Sequence, residues 1–190
     1  MKYVICGPSG VGKGTLIKNF LARSKNFSLS VSHTTRKMRK GEENGVDYFF
    51  VDKDNFLNMV RQKQFFEWEE IHGNYYGTSL SCLHNHPKEN LILEIDINGA
   101  LSIKKHFLGK DLTFIFITTD LKELERRIRN RGEDDEKSIM TRIETAKKEL
   151  AIFESTAEIN LFDHVINSKN FEQSYRDFAD ILSQNKIKFK

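Results

Sequence analysis

The stretch that decides the fold is residues 7–15, which read Gly7-Pro8-Ser9-Gly10-Val11-Gly12-Lys13-Gly14-Thr15. It follows an apolar run, residues 3–6, with the length of a buried strand, and it precedes a helical apolar stripe, Leu16, Ile17 and Phe20. A glycine-rich turn between a strand and a helix lets backbone N–H groups converge on phosphate oxygens, and the helix N-terminus adds positive charge. The stretch therefore predicts a phosphate loop that binds a nucleoside triphosphate. The alternative is a glycine-rich turn without a ligand.

One position departs from the general form of this loop. The residue after the lysine is usually Ser or Thr, whose hydroxyl binds Mg²⁺, but this chain has Gly14 there and Thr15 one residue later. Lys13 itself predicts a mobile positive charge for the β- and γ-phosphates. We therefore expect Mg²⁺ to arrive with ATP, held mainly by phosphates and water, and we assign no certain metal ligand to the protein.

The rest of the chain alternates between strand-like and helix-like segments. Apolar runs at residues 91–95, 112–117 and 164–166 are typical of parallel strands, and helical stripes follow at about residues 120–132, 135–154 and 171–182. This pattern predicts an α/β fold, a P-loop NTPase-type parallel sheet flanked by helices on both faces. The pattern breaks between residues 33 and 90, where a polar loop (33–47), one helix (52–64) and two short strands predict an inserted, mainly β lobe.

The composition predicts one globular, soluble domain of 190 residues, with 38% hydrophobic and 30% charged residues. The net charge of +3 is too small to indicate a nucleic-acid partner. No apolar run reaches the ~18 residues of a membrane span, and a strand at residue 3 leaves no room for a leader. Cys6 lies in the apolar run at residues 3–6, so we expect it in the core. Because Cys6 and Cys82 form no CxxC pair, we expect a reducing, cytoplasmic setting. Monomer and homodimer are both open.

Residues 32–42 form a polar, basic segment that reads SHTTRKMRKGE. Arg36 and Arg39 lie three residues apart, and planar guanidinium groups bind phosphate through paired hydrogen bonds. Tyr48 and Tyr76 each offer a hydroxyl on a rigid ring. The segment predicts a clamp for one monophosphate. The alternatives are a solvated basic loop and a nuclear localisation patch.

A second polar segment, residues 67–78, carries groups that suit a guanine base. Guanine presents two donors on one edge, and the carboxylate of Glu67 can accept both, while the Thr78 hydroxyl can donate to guanine O6. Adenine has neither the N1 donor nor the O6 acceptor. Sites built on such polar pairs discriminate between bases by a factor of roughly 10⁴ or more. The alternative for Glu67 is an exposed strand carboxylate.

These features resemble the guanylate kinase family over nearly the whole chain. The resembling motifs, which follow the family's order and spacing, are residues 7–15, residues 32–42, Gly45-Val46-Asp47-Tyr48, Glu67-Trp68, residues 73–78 and Glu94-Ile95-Asp96, together with the arginines below. The resemblance implies one domain with a core (residues 1–32, 91–119 and 155–190), a GMP-binding lobe (33–90) and a helical lid (120–154). It also implies phosphoryl transfer from ATP to GMP or dGMP.

The resemblance further implies the residues that hold the two nucleotides. ATP would bind residues 7–15, and Glu67, Thr78 and Asp96 would serve the guanine end of GMP. The full set implied for GMP is Ser32, Arg36, Arg39, Glu42, Tyr48, Glu67, Tyr76, Gly77, Thr78, Glu94 and Asp96. The chain departs from the family at three of its motif positions, with Thr78 for a frequent Ser, Met38 for a common Pro and Glu94 for a frequent Asp.

Arginines in the predicted lid complete the implied catalytic set. Arg127 and Arg131 lie four residues apart, hence on one helix face, and Arg142 lies in the next helix. Phosphoryl transfer depends on alignment and on positive charge around the moving group. By resemblance, the catalytic residues are Lys13, Arg36, Arg127, Arg131 and Arg142. The alternative for each lid arginine is a surface salt bridge, with Glu123 or Asp135 as partner.

The adenine end and the exact function have competing interpretations. The family's adenine-binding Asn-Asp pair aligns with Asn167 and Ser168 in ungapped register, and a slip of one residue would change both assignments. One alternative function is another nucleoside monophosphate kinase, against which Glu67 and Thr78 argue. Another is a catalytically inactive guanylate-kinase-like module that binds proteins, against which the intact Lys13 argues.

Overall fold

The computed structural model describes residues 1–84, 88–106, 112–130, 135–155 and 161–184. In chain order its elements are β1 (Lys2–Cys6), α1 (Lys13–Leu21), β2 (Phe27–Leu29), β3 (His33–Thr34), β4 (Phe49–Phe50), α2 (Lys53–Arg61), β5 (Phe65–Ile71), β6 (Asn74–Ser79), α3 (Leu80–His84), β7 (Asn90–Glu94), α4 (Ile97–His106), β8 (Leu112–Thr118), α5 (Leu121–Asn130), α6 (Glu136–Ser155), β9 (His164–Asn167) and α7 (Phe171–Gln184).

The main sheet of the described residues has five strands in the order β2-β7-β1-β8-β9, and every pair in it is parallel. The central strand β1 lies between β7 and β8, with Tyr3 opposite Ile92 on one side and Thr113 on the other. The predicted α/β fold with a parallel sheet is therefore confirmed. Parallel strands end at the same edge, so the phosphate loop after β1 and the acidic residues at the end of β7 are brought together.

Two apolar clusters cover the two faces of this sheet, because side chains alternate along each strand. Tyr3 and Ile5 belong to one cluster, with residues of α1 and α7. Val4 and Cys6 belong to the other, with residues of α4. Cys6 is fully buried, as predicted, and this burial raises the pKa of its thiol far above the ordinary value.

Aspartates begin helices α2, α5 and α6. The side chains of Asp52, Asp120 and Asp135 each accept the backbone N–H of the residue three positions later, at 2.8, 2.9 and 2.7 Å. Such caps satisfy N–H groups that have no partner inside the helix. Glu123, three residues after Asp120, pairs with Arg126 and Arg127 of α5.

The second sheet has the order β4-β3-β6-β5 within the described residues. Its hairpin, β5 and β6, turns at His72 and Gly73, whose φ angles are +51° and +75°. The expectation of a loop throughout residues 33–47 is wrong at its start, because His33 and Thr34 form β3 and pair with both β4 and β6. The other elements of this segment are β4, β5 and β6 and the helices α2 and α3.

Two helices, α3 and α4, have no counterpart in the sequence-based expectations. The domain boundaries drawn from the resemblance stay predictions. Arg131 lies outside the described residues. In the part of the chain that the structure describes, no helix combines the length and the apolar character needed to cross a membrane.

Candidate active site

A cleft of about 790 Å³ lies between the phosphate loop, the second sheet, the carboxyl end of β7 and α6. Its walls come from four parts of the chain, so the predicted nucleotide sites share one space. Among the predicted residues, those that line it are Ser9, Lys13, Ser32, Arg36, Arg39, Tyr48, Glu67, Tyr76, Gly77, Glu94, Asp96 and Arg142.

The backbone of the phosphate loop has positive φ angles, which favour glycine, at Gly7, Gly10 and Gly12. Gly7 has a φ of +147°, and a Cβ there would lie 2.1 Å from the carbonyl oxygen of Ile117. Gly12 has a φ of +100° and begins α1 without a side-chain cap. The loop can therefore turn sharply between β1 and α1, and it leaves the start of the helix open to an anion.

Lys13 folds back over this loop. Its Nζ donates to the carbonyl oxygen of Gly7 at 2.5 Å and approaches that of Pro8 at 3.4 Å. The ammonium group also faces Glu94 and Asp96, whose carboxyl pKa values are raised by burial and lowered in part by this charge. Lys13 is thus the cation around which the acidic side of the cleft is arranged.

The arginine clamp, Arg36 and Arg39, is held in shape by Glu42. Arg36 donates two hydrogen bonds to the Glu42 carboxylate, at 2.8 and 3.0 Å, and the backbone N–H of Arg39 donates to the same group at 2.7 Å. The Arg36 hydrogen bonds lower the pKa of Glu42. Both arginines line the cleft, whereas Glu42 acts on the site through Arg36.

Two tyrosines stand beside the clamp. The ring centroids of Tyr48 and Tyr76 are 6.1 Å apart, and the Arg36 guanidinium lies 5.4 Å from the centre of the Tyr48 ring. Burial raises the pKa of Tyr48 to about 12. This hydroxyl therefore stays protonated near neutral pH and can donate to a phosphate oxygen.

Glu67 is a buried carboxyl group in the cleft wall, with 7% of its surface exposed. Burial raises its pKa to about 7, against hydrogen bonding from Thr78, and the nearby Asp96 adds to the rise. Its Oε1 accepts the backbone N–H of Thr78 at 2.9 Å. Thr78 is fully buried behind the wall, where its hydroxyl lies 3.4 Å from that of Ser32.

Two acidic side chains lie at the carboxyl end of β7, Glu94 as its last residue and Asp96 two residues later. Asp96 begins α4, since its Oδ1 accepts the N–H of Gly99 at 2.7 Å. Glu94 lies beside the phosphate loop, where a Cβ on Gly14 would be 3.7 Å from Glu94 Oε2. The side chain of Glu94 therefore stands next to the position at which related loops carry a hydroxyl.

The lid arginines differ in where they point. Arg142 lines the cleft and donates to Ser9 Oγ at 3.2 and 3.0 Å. Arg127 does not line it. Its guanidinium donates to the carbonyl oxygens of Val11 at 2.9 Å and Ser168 at 2.6 Å, and it also forms the Glu123 salt bridge considered above, at 2.7 Å.

Asn167 and Ser168, the two residues that align with the family's adenine-binding pair, differ in exposure. Ser168 is buried, with its hydroxyl donating to the Val11 carbonyl at 2.9 Å, whereas Asn167 is exposed and accepts the N–H of Lys169 at 3.0 Å. Ser168 is therefore part of the support behind the phosphate loop. Only Asn167 of the two exposes its side chain to solvent.

The chain matches a family model described as guanylate kinase over residues 1–185. It belongs to the guanylate kinase family. Three relatives with the name guanylate kinase are those of Prochlorococcus marinus (39% identical, covering 94% of this chain and 95% of that one), Thermotoga maritima (38%, covering 98% and 87%) and Fusobacterium nucleatum (40%, covering 98% and 97%). The crystal structure of guanylate kinase from Anaplasma phagocytophilum superposes with a TM-score of 0.77 at 29% identity, covering 99% of this chain and 87% of that one.

Several residues of this guanylate kinase cleft were missed from the sequence. Glu149 of α6 accepts the backbone N–H of Ser9 at 3.2 Å, and Thr145 Oγ lies 3.4 Å from Nε2 of His72. Glu149 follows Arg142 by seven residues, which is two helical turns, so both lie on one face of α6. Once Arg142 is assigned to the cleft, that spacing is the signal that could have identified Glu149.

The side chains of the cleft offer only a few possible protein ligands for Mg²⁺. Among the described residues, no group of three or more His, Cys, Asp or Glu side chains could hold a metal ion. Mg²⁺ commonly takes one or two carboxylates and completes its shell with substrate phosphates and water. Glu94 and Asp96, both beside Lys13, fit that limited role.

Proposed function

We propose that this chain transfers the γ-phosphoryl group of ATP to GMP or dGMP and so produces ADP and the corresponding diphosphate. One observation carries the proposal: Lys13 and the arginine clamp line the same cleft as the buried carboxyl of Glu67. A phosphate loop alone fits many reactions, but these three groups together suit a triphosphate, a monophosphate and a guanine base. Membership of the guanylate kinase family supports the same reaction.

In this proposal the arginine clamp binds the phosphate of GMP. Arg36 and Arg39 provide the charge, Tyr48 and Tyr76 provide hydroxyl donors, and Glu42 keeps Arg36 in place. The GMP phosphate is already an anion at neutral pH, so it can attack without a general base. Alignment and charge neutralisation then carry most of the catalysis.

The guanine base is recognised by buried acceptors. The ionised carboxylate of Glu67 accepts the N1 and 2-amino hydrogens, and Asp96 assists from the start of α4. Thr78 positions Glu67 through its backbone N–H, with Gly77 and Ser32 completing the wall. An adenine base would offer Glu67 no such donors. A buried acceptor left without a partner costs free energy, so adenine should bind weakly.

The ATP phosphates bind residues 7–15, with Lys13 at the β- and γ-phosphates. Arg142 is the lid arginine best supported as catalytic, because it lines the cleft and contacts Ser9. Catalytic roles for Arg127 and Arg131 remain predictions from the family resemblance. For Arg127, the contacts with Val11 and Ser168 also support a positioning role.

Mg²⁺, when bound with ATP, would supply positive charge that offsets the negative charge of the phosphates. Glu94 and Asp96 would be its protein partners, through water or directly. We further infer a cytoplasmic protein acting on small nucleotides as a monomer or homodimer. Its two free cysteines support a reducing compartment.

The test is a coupled ADP-release assay with ATP, Mg²⁺ and either GMP or AMP. We expect strong turnover with GMP and little with AMP. Turnover with AMP instead would keep a kinase but remove the guanine assignment. Folded protein without turnover on either substrate would favour the protein-binding module.

A variant pair tests the phosphate loop in the same assay. Lys13→Met should lower kcat by roughly 10²-fold or more, since it removes charge at the transferred group. Lys18→Met, which changes an exposed lysine on the same helix, should leave kcat unchanged. Equal activity of the two variants would contradict the role given to Lys13.

A further inference from the structure

Glu149 brings a carboxylate into contact with the phosphate loop. Its Oε2 accepts the backbone N–H of Ser9 at 3.2 Å, a contact between residues 140 positions apart. Ser9, Lys13, Arg142 and Glu149 all line the same cleft. An acidic side chain of α6 therefore lies inside the group of donors and cations that the fold gathers for phosphate.

A carboxylate oxygen at this point has the chemistry of a phosphate oxygen. Both accept hydrogen bonds from backbone N–H groups, and both carry negative charge that Lys13 and Arg142 attract. Burial raises the pKa of Glu149, and the Lys13 charge opposes that rise. The Glu149 carboxylate and a phosphate oxygen therefore compete for the Ser9 N–H, because each needs this donor and the same cations.

We propose that Glu149 is a counter-ligand of the phosphate loop, which holds the Ser9 N–H in the nucleotide-free protein and yields it to a phosphate oxygen of the entering nucleoside triphosphate. The proposal rests on the assignment of residues 7–15 to ATP. On displacement of Glu149, the phosphates take over its place between Lys13 and Arg142. Because Arg142 lies on the same face of α6 and holds Ser9 Oγ, the helix remains anchored during this exchange.

The competing interpretation is a permanent dock. Glu149 would then keep the Ser9 N–H when ATP is bound and would shape the loop for the nucleotide. The two interpretations predict opposite changes in ATP affinity when the negative charge at position 149 is removed. Counter-ligand displacement predicts tighter binding, and docking predicts weaker binding.

The experiment is calorimetric titration of the full chain with a non-hydrolysable ATP analogue and Mg²⁺, comparing wild type with Glu149→Gln. The amide keeps the size of the side chain and removes its charge. We expect the Kd of the analogue to fall by roughly three- to tenfold, the size of one screened like-charge interaction. An unchanged or raised Kd would overturn the proposal.

Two controls separate this effect from general electrostatics. Glu144→Gln makes the same charge change on an exposed residue of α6 and should leave the Kd unchanged. Glu149→Asp keeps the charge but withdraws the carboxylate by one methylene from Ser9, so it should also tighten binding, by less. This second variant decides the matter if Glu149→Gln fails to fold.

Because nucleotide binding is measured without GMP, the outcome is independent of the proposed reaction. If the wild type binds the analogue but does not phosphorylate GMP, the proposed reaction is refuted. The role of Glu149 as a counter-ligand is not affected by that result. A wild type that phosphorylates GMP, with Glu149→Gln binding the analogue no more tightly, would refute the counter-ligand alone.

Discussion

Gly99 lies so close to Glu67 that a Cβ atom at position 99 would be 2.9 Å from Glu67 Oε2 and 3.4 Å from Asp96 Oδ1. Gly99 belongs to the first turn of α4, which Asp96 begins. The missing side chain therefore keeps open the space beside two carboxylates that we assign to guanine. Glu67 cannot simply rotate away, because its other oxygen is held by the N–H of Thr78.

Gly99→Ala should raise the KM for GMP by roughly five- to 150-fold, in line with the 1–3 kcal/mol that a forced methyl group costs in a packed site. The KM for ATP should stay unchanged, because the methyl group is directed at the base site. Steady-state kinetics with each substrate varied in turn measure both values.

Two further variants test the cause. Ser102→Ala, on the same helix, should change neither KM. Combining Gly99→Ala with Glu67→Asp should recover part of the GMP affinity relative to Gly99→Ala alone, since the shorter carboxylate leaves room for the methyl group. A rise in both KM values with Gly99→Ala would indicate general distortion instead.

The affinity for GMP should depend on pH through Glu67. Its pKa is about 7 because of burial, with Asp96 and Glu69 adding to the rise and Thr78 opposing it. Only the ionised carboxylate accepts both guanine donors, so GMP binding weakens as the pH falls through this pKa. The KM for GMP should rise about tenfold between pH 8 and pH 6, as one titrating group requires.

Glu67→Gln provides the reference for that profile. The GMP phosphate also titrates near pH 6, but wild type and variant share this contribution. The variant should bind GMP weakly at both pH values and lose the part of the pH dependence that belongs to Glu67. Parallel profiles for the two proteins would remove Glu67 from the guanine site.

Glu42→Gln should weaken the arginine clamp. The Arg36 hydrogen bonds hold the pKa of Glu42 below its usual range, so it is charged at neutral pH and orients Arg36 as an ion pair. We expect the KM for GMP to rise by roughly three- to tenfold, the typical value of one charge-assisted hydrogen bond at a partly exposed site.

Glu43→Gln is the matched control, because Glu43 is the exposed neighbour of Glu42. It should leave the KM for GMP unchanged. If Glu42→Gln behaves like this control, Arg36 is oriented by other contacts, such as its bond to the Lys37 carbonyl.

Arg127→Ala should lower the free energy of unfolding by roughly 1–3 kcal/mol, because it leaves the carbonyl of Ser168 without its donor behind the phosphate loop. Arg126→Ala, which removes the more exposed partner of the same Glu123, should change it by less than about 0.5 kcal/mol. Urea unfolding measures both. Unchanged stability with a large fall in kcat would instead support the catalytic role implied by the family resemblance.

Local patterns predicted the main sheet and the phosphate loop well. Residues 3–6, the glycine-rich turn and the stripe after it are contiguous, and their periodicity directly reports strand, turn and helix. The apolar run at residues 91–95, most of which forms β7, and the helix after Asp120 were recognisable for the same reason. These features are encoded by neighbours in sequence.

Features that depend on distant partners were not predictable in this way. His33 and Thr34 form a strand because β6, more than 40 residues later, pairs with them. The role of Arg127 depends on the Val11 and Ser168 carbonyls, which no spacing along α5 indicates. Glu149 likewise lies in the cleft only because α6 packs against the loop at Ser9.

The contact between His72 and Thr145 joins the tip of the β5–β6 hairpin to α6 by one partly exposed hydrogen bond of 3.4 Å. A bond of this kind contributes at most about 1 kcal/mol, so the two sides of the cleft separate easily. Firm closure must therefore come from nucleotides that bridge them. In the reaction proposed above, we therefore expect shielding from water to depend on both substrates, and we expect slow hydrolysis of ATP bound alone because its catalytic surroundings stay incomplete.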